Sequence, residues 1–249
     1  MSSSEFPDNI DHLLRSWEFE PGDIKARLVK GSDDRDVLQT RVELGVLQME
    51  VNGRPDGETF AGQTTYLDYL ISEEFHRGES FVLDDEERLE VDREFLQFYQ
   101  RRICWLTLKD YPRAKRDADH TLALMDIVKR HSPNEEWTLA HEQYRPFVLF
   151  HRTQAAALAA LEEKDPEQAI SAINTGLKKM ETFFEEHDAS ERFDEDEMVK
   201  RLRDLRESMR DQFKVGKTLN EQLAEAVAAE EFELAARLRD EIRKQGGQV

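Results

Sequence analysis

The chain has 249 residues, 39 % of them hydrophobic and 36 % charged, enough for one large domain or two small ones with a real core. With 54 acidic against 35 basic side chains the net charge is −19, so the average field repels a phosphate backbone and direct nucleic-acid binding is not expected. No apolar run approaches the ~18 residues of a membrane helix, the acidic start lacks a signal-type apolar core, and a single cysteine, Cys104, supports neither a disulfide framework nor a Cys-based zinc site. A cytoplasmic protein with no membrane partner is the expectation, its excess acid serving solubility.

Residues 1–16 read as weakly ordered. From Trp17 to Val29 an alternation places Ile24, Ala26 and Leu28 on one side after a Pro21-Gly22 turn, the pattern of a small β-hairpin. From Asp36 the period changes. Val37, Thr40, Leu44, Leu47 and Val51 follow helical spacing and predict a helix that stops at Asn52-Gly53-Arg54-Pro55-Asp56-Gly57. A second helix is expected over Thr64–Glu74, and a loop over Arg77–Asp85.

From Glu86 onward the chain reads as helix after helix. Phe95, Phe98, Ile103, Trp105, Leu106 and Leu108 supply an apolar face up to Lys109, and Asp110 and Pro112 punctuate before a helix that runs to about Arg130. Ser132-Pro133-Asn134-Glu135 is a start signal, with Ser132 as N-cap and Pro133 at the first helical position, for a long helix reaching Leu161. Asp165-Pro166-Glu167-Gln168 repeats that grammar and opens a helix to about Glu186. Short punctuated turns between successive helices mean antiparallel neighbours.

Two stretches share a polar turn followed by small or apolar residues at every fourth position: Ala114, Ala118 and Leu122 in one, Ala169, Ile173 and Leu177 in the other. On these residues the 88–184 segment resembles degenerate tetratricopeptide (TPR-like) helix pairs. The copies lie 55 positions apart, whereas that repeat spans about 34; either the intervening helix is extended or the similarity is generic helix-pair packing.

Residues 188–197 form an acidic linker. Met198, Leu202, Leu205, Met209 and Phe213 then make a narrow coiled-coil-like stripe, closed by Val215-Gly216. Thr218-Leu219-Asn220-Glu221 is a capping box. No Gly or Pro interrupts Leu219–Lys244, but the apolar phase reverses. At about 100° per residue, Leu219, Leu223, Ala226 and Val227 fall on one side, and Phe232, Ala235, Leu238 and Ile242 on roughly the other. A reversal near Ala229-Glu230 would turn the two groups toward each other.

These residues resemble the UVR motif: Leu219 and Leu223, Glu231-Phe232-Glu233, Ala235-Ala236, then Leu238-Arg239-Asp240 with Ile242. The resemblance covers the C-terminal segment alone and implies a two-helix hairpin that contacts other proteins. Such hairpins occur in the excision-repair helicase subunit, its nuclease partner, Clp ATPases and regulators associated with them. The expected interaction residues are Leu219, Leu223, Val227, Phe232, Leu234, Ala235, Ala236, Leu238, Arg239, Asp240 and Ile242. Independently of the resemblance, the second helix is apolar over roughly 200° when Leu234 is counted, more than its short partner covers.

Phosphate-loop, nucleophile-elbow, zinc-protease and EF-hand motifs do not occur. The dispersed histidines, among them His120, His131, His141 and His151, never stand at i,i+4 and read as packed or helix-face residues, and Cys104 as a buried inert thiol. The Asn52–Gly57 loop is a further functional candidate, although turn chemistry alone accounts for its Gly and Pro. Arg101, Arg102, Trp105, Arg113 and Arg116 form a second expected site, a clamp for an acidic peptide or a C-terminal carboxylate. Counter-charge to the acidic 84–94 segment is the alternative for these cations.

The expected architecture is mainly all-α: an antiparallel helical-repeat-like array, a small N-terminal β-hairpin element and a C-terminal two-helix UVR hairpin. It divides into 1–16, a mixed region 17–85, a helical body 86–187, a linker and amphipathic helix 188–217, and the hairpin 218–249. The expected function is that of a non-enzymatic adaptor or scaffold without cofactor or metal, the body binding one protein and the hairpin another. Self-association through 198–213 and the hairpin is a further expectation. The alternatives are a DNA-damage-response accessory recruited through the hairpin, a Clp-protease-associated regulator, or an enzyme of unrecognised type with its site in 17–85.

Overall fold

The computed structural model describes residues 9–246. Half of the weakly ordered start expected from sequence, residues 1–8, lies outside the described residues; Asp11–Ser16 (α1) is a short helix that buries none of its side chains. The chain divides into two compact units, residues 1–155 and 156–249.

The first unit begins with a three-stranded antiparallel meander, Ala26–Lys30 (β1), Asp36–Val42 (β2) and Gly45–Glu50 (β3). Leu28 stands opposite Leu38, and Leu38 opposite Met49. The helix expected from Asp36 to Val51 is therefore two strands joined by a tight turn. Leu44, essential to the helical spacing, sits in that turn and is 89 % exposed. Adjacent Val37 and Leu38 are both fully buried, so β2 is covered on both faces and lacks the polar/apolar alternation that reveals a half-buried strand. β-branched Val37, Thr40, Val42 and Val46 favour the extended form, and Gly45 would weaken a helix.

Helices Tyr66–Arg77 (α2), Asp85–Leu108 (α3), Tyr111–His131 (α4), Glu135–Glu142 (α5) and Arg145–Glu162 (α6) follow. Asp84 opens α3 with a capping box to Glu87. α3 and α4 form an antiparallel pair with α2 packed on both, and β1 and β2 lie on α3. The long helix expected over 133–161 is broken. Asn134, not Ser132, caps α5, accepting from the amides of Glu136 and Trp137. Pro146 lacks the N–H that would bond the Glu142 carbonyl, so the helix restarts at Arg145. One apolar core gathers Leu70, Phe81, Leu83, Val91, Leu124 and Ile127, and another joins Leu38 and Met49 of the sheet to Cys104, Trp105 and Ala114.

Charges are built into this interior. Arg101 forms a bidentate pair with Asp117 at 2.7 and 2.9 Å and donates to the carbonyls of Glu50 and Gly53 at 2.9 and 2.8 Å. Trp105 Nε1 donates to the same carboxylate. Arg54, 1 % exposed, pairs with Glu90 at 2.7 Å and Asp56 at 3.2 Å. Glu94 accepts from the first amides of α2, Tyr66 and Leu67, and lies 2.8 Å from His120 Nε2.

The second unit holds the end of α6, Pro166–Glu186 (α7), Glu197–Phe213 (α8), Leu219–Ala228 (α9) and Phe232–Gly246 (α10). Asp165 caps α7 with Pro166 at its first position, as the sequence predicts. The acidic linker is not featureless: Ser190–Glu195 makes a 3-10 turn that anchors Phe193 beside Phe184, with Arg203 over its ring at 5.2 Å. α8 packs on α7 and buries Val199, Leu202 and Met209, whereas Phe213 at the end of the stripe is exposed. Lys214, at φ 57°, takes the left-handed position that the sequence assigns to Gly216.

The two turns that look alike in sequence share a geometry. Lys109 and Lys164 are left-handed at φ 60° and 63°. The amides after them, Asp110 and Asp165, reach back to the carbonyls of Trp105 and Ala160, and both aspartates then cap the next helix. That is a Schellman closure followed at once by an N-cap. Ala114 and Ala118 are buried in one helix, as are Ala169 and Ile173 in the other.

Candidate protein-interaction site

The C-terminal hairpin is built from its caps inward. Thr218 Oγ1 accepts from the Glu221 amide at 3.3 Å, and the Glu221 carboxylate returns to the Thr218 amide at 2.8 Å. α9 closes as the earlier turns do. Glu230 is left-handed at φ 58°, its amide bonds the Val227 carbonyl, and the Glu231 amide bonds that of Ala226. α10 then begins at Phe232, so the chain reverses where the phase argument places the reversal.

Between the helices lie Ala226, Ala235 and Leu238, all buried, with Leu219, Leu223 and Leu234 partly buried around them. Alanines at the contact let the backbones approach. The expected interaction set therefore divides in two. Leu219, Leu223, Leu234, Ala235 and Leu238 hold the hairpin together, while Val227, Phe232, Ala236, Arg239 and Asp240 face water and Ile242 is half-buried. Phe232, expected to face α9, is 68 % exposed instead, and Val227 is 54 % exposed. Within α10, at about 100° per residue, Leu234, Ala235, Leu238 and Ile242 fall within about 100° of one another on the inner face, whereas Phe232, at the first position, falls with Ala236 and Arg239 on the outer.

The hairpin is tied to α8 by Glu221. Besides its capping role it pairs with Arg210, and Arg206 lies 3.7 Å away. Burial raises the Glu221 pKa, but the Arg210 hydrogen bond, the Thr218 donors and the Arg210 charge outweigh it and hold the carboxyl below its ordinary value. Sequence reading found Glu221 as a cap and missed the tie; Arg206 and Arg210 on one face of the preceding helix were the available signal. Opposite, the 215–220 link, Glu241 and Ile242 border a cleft of about 540 Å³ with Asp165, Glu167 and Gln168 from the start of α7.

The second expected site is not a surface clamp. Arg101 and Arg102 are each 1 % exposed and Trp105 is fully buried. Arg101 is consumed by Asp117, Arg113 pairs with Asp110 and covers the Trp105 ring at 5.0 Å, and Arg116 donates to the Val51 carbonyl. The counter-charge alternative fails in its detail as well, since these partners lie outside residues 84–94. The 52–57 loop is likewise held by the scaffold: Arg54 N donates to the Thr64 carbonyl and the Glu50 amide to that of Pro55. Gly53 sits at φ +62° with the Thr64 carbonyl 3.0 Å from where a Cβ would stand, which explains the glycine.

Burial pushes the Cys104 thiol up to about 11, against a smaller opposing effect of Thr40. Among the described residues there is no group of three His, Cys, Asp or Glu side chains suited to a metal ion, and no helix is long and apolar enough to cross a membrane. Residues 215–244 match the family model described as the UvrB/uvrC motif, UVR. No curated protein and no solved structure matches the chain.

Proposed function

We propose that this chain is a non-enzymatic interaction protein whose C-terminal hairpin docks on a partner protein through the outer face of α10. The observation that carries the reading is Phe232: a large apolar side chain, 68 % exposed, on a hairpin whose own core is already closed. Val227 flanks the same turn, and Arg239 and Asp240 supply charges beside the outer stripe. An aromatic anchor ringed by polar groups is the composition of an interface centre. Burial of a Phe side chain contributes about 1.5–3 kcal/mol, a large part of the free energy of a transient complex.

The test is a partner capture with the full chain and with Phe232→Asp. Because Phe232 is exposed, the variant keeps its stability within about 0.5 kcal/mol but loses about tenfold or more in partner affinity. Retention of every partner by Phe232→Asp, or by a chain truncated after residue 215, removes the hairpin's role.

The motif match favours excision-repair subunits as the first partners to test, and the net charge of −19 favours a protein contact over a phosphate backbone. Binding to the repair helicase subunit that is lost in Phe232→Asp supports recruitment to repair. Absence of that binding, with a Clp-type ATPase captured instead, moves the protein to proteolysis.

A further inference from the structure

A cleft of about 660 Å³ opens in the first unit between α3 and the start of α6. Phe95, Leu96 and Tyr99 line it from α3, and Tyr144 and Phe147 from the other side. Leu96, Tyr99 and Tyr144 are 54 %, 38 % and 49 % exposed, so three large side chains that would ordinarily be covered stand together in water. The rings bracket the opening: Tyr99 lies 6.1 Å from Phe147, and Phe95 6.1 Å from Tyr144.

Arg102 also lines this cleft, although it is only 1 % exposed. It donates to Thr121 Oγ1 at 2.9 Å, a neutral partner, and its Nε is buried without any partner. Asp117, the carboxylate whose charge reaches it, is already taken by both arms of Arg101 and by Trp105. Tyr99, 5.8 Å from the guanidinium, offers only a cation–π contact. One helical turn behind Phe147, the His151 ring lies 4.1 Å from it with its Nδ1 buried and unpartnered. Burial, then the charge of Arg102, press the His151 pKa down to about 3, so this ring does not add a second cation. Burial likewise lowers Arg102, to about 10, which leaves it charged at neutral pH.

A buried cation without a counter-ion is costly unless something supplies one. We propose that the cleft binds a small carboxylic acid with an aryl or short alkyl body, its carboxylate pairing with Arg102 and its apolar part lying between Leu96, Tyr99, Tyr144 and Phe147. The volume lies within the range of small-molecule sites, and apolar walls with one charged group are their usual composition. A peptide fits the same surface poorly. Apart from Arg102, the side chains that line the cleft offer only the Tyr99 and Tyr144 hydroxyls as polar groups, so successive backbone amides would go unpaired.

Calorimetric titration of the full chain with 4-phenylbutyrate and octanoate, against 4-phenylbutanol and octanol, tests the site. The acids bind about tenfold or more tighter than the alcohols, the margin of a charge-assisted pair. Amide shifts in an NMR titration concentrate on residues 95–102 and 144–148. Leu96→Glu, at an exposed rim position, keeps the melting temperature and weakens the acids about tenfold. Arg102→Gln abolishes the preference for acid over alcohol; if that variant fails to fold, the Leu96→Glu comparison decides. Equal binding of acid and alcohol, no binding of either acid at millimolar concentration, or indifference to Leu96→Glu overturns the proposal. So does tighter binding of a short apolar peptide with a free C-terminus than of either acid, which would assign the cleft to a protein partner.

Discussion

At the scale of single residues, the interior of the first unit is unusually polar for its depth. Arg54, Arg101, Arg102, Glu94 and Asp117 are all at most 1 % exposed, and each shapes its neighbourhood through directional bonds. His151 has a measurable consequence. Its pKa falls from the ordinary 6.5 to about 3 on folding, through burial first and the Arg102 charge second. A base with a depressed folded pKa binds its proton more readily when unfolded. Its neutral form therefore supports the fold fully above pH 6.5, and that support drains away progressively as the pH falls toward about 3. Chemical denaturation at a series of pH values should show stability declining from pH 6.5 downward, with a shallower decline in His151→Phe. An unchanged slope in the variant would mean that His151 titrates normally.

Among the elements, the helix turns carry one device repeatedly. Lys109, Lys164, Asp188 and Glu230 are all non-glycine residues at positive φ, with values from 51° to 63°. An L-residue pays about 1–2 kcal/mol in that region, part of which glycine would give back through the greater freedom of its unfolded chain. Lys109→Gly, between the two best-packed helices, should therefore raise the unfolding free energy by about 0.5–1 kcal/mol, readable as a shift in the denaturation midpoint at constant m-value. A neutral or negative shift would place the Lys109 side chain in some stabilising contact.

These turns also show what was legible in advance. Lys-Asp with a proline one or two positions further on, as at Lys109-Asp110-Tyr111-Pro112 and Lys164-Asp165-Pro166, marks a stop and a start, so α4 and α7 are legible in sequence. So is the hairpin reversal, because a change of apolar phase needs no glycine to announce it. A small N-terminal β element is legible in sequence and β1 lies within it, but β2 and β3 read as helix, because a strand buried on both faces shows no alternation and β2 with its consecutive Val37 and Leu38 is such a strand. The basic cluster around Arg101 was misread for a related reason. Nothing local tells an exposed cation from one that will meet Asp117, 16 positions away, across a helix pair. Phe232 reads as an inner residue because its apolar character places it in the same group as Ala235, Leu238 and Ile242, although on the wheel it lies about 60° beyond Ala235, at the edge of that arc.

For the whole molecule, the excess of acid sets a background against which each local contact acts. Ion pairs such as Arg210 with Glu221 are screened by salt, and so is the self-repulsion of a chain with net charge −19. The second effect is spread over the entire surface, whereas the interior pairs of the first unit are shielded from salt. Raising sodium chloride from about 10 to about 150 mM, which shortens the screening length severalfold, should therefore raise the melting temperature. A fall would show that surface ion pairs outweigh the repulsion.

The smallness of the hairpin core has a further consequence. Three buried side chains, two of them alanines, three half-buried leucines and the carboxylate tie of Glu221 hold residues 218–244 in place, a small core for a helix pair of this length to stand alone on. Its amide protons should therefore exchange with deuterium through local openings, well before those of α3 and α4, which wait for the first unit to unfold. A bound partner would slow that exchange selectively across the hairpin. The same isotope measurement would then report how much of the hairpin's order is its own and how much is borrowed from the complex.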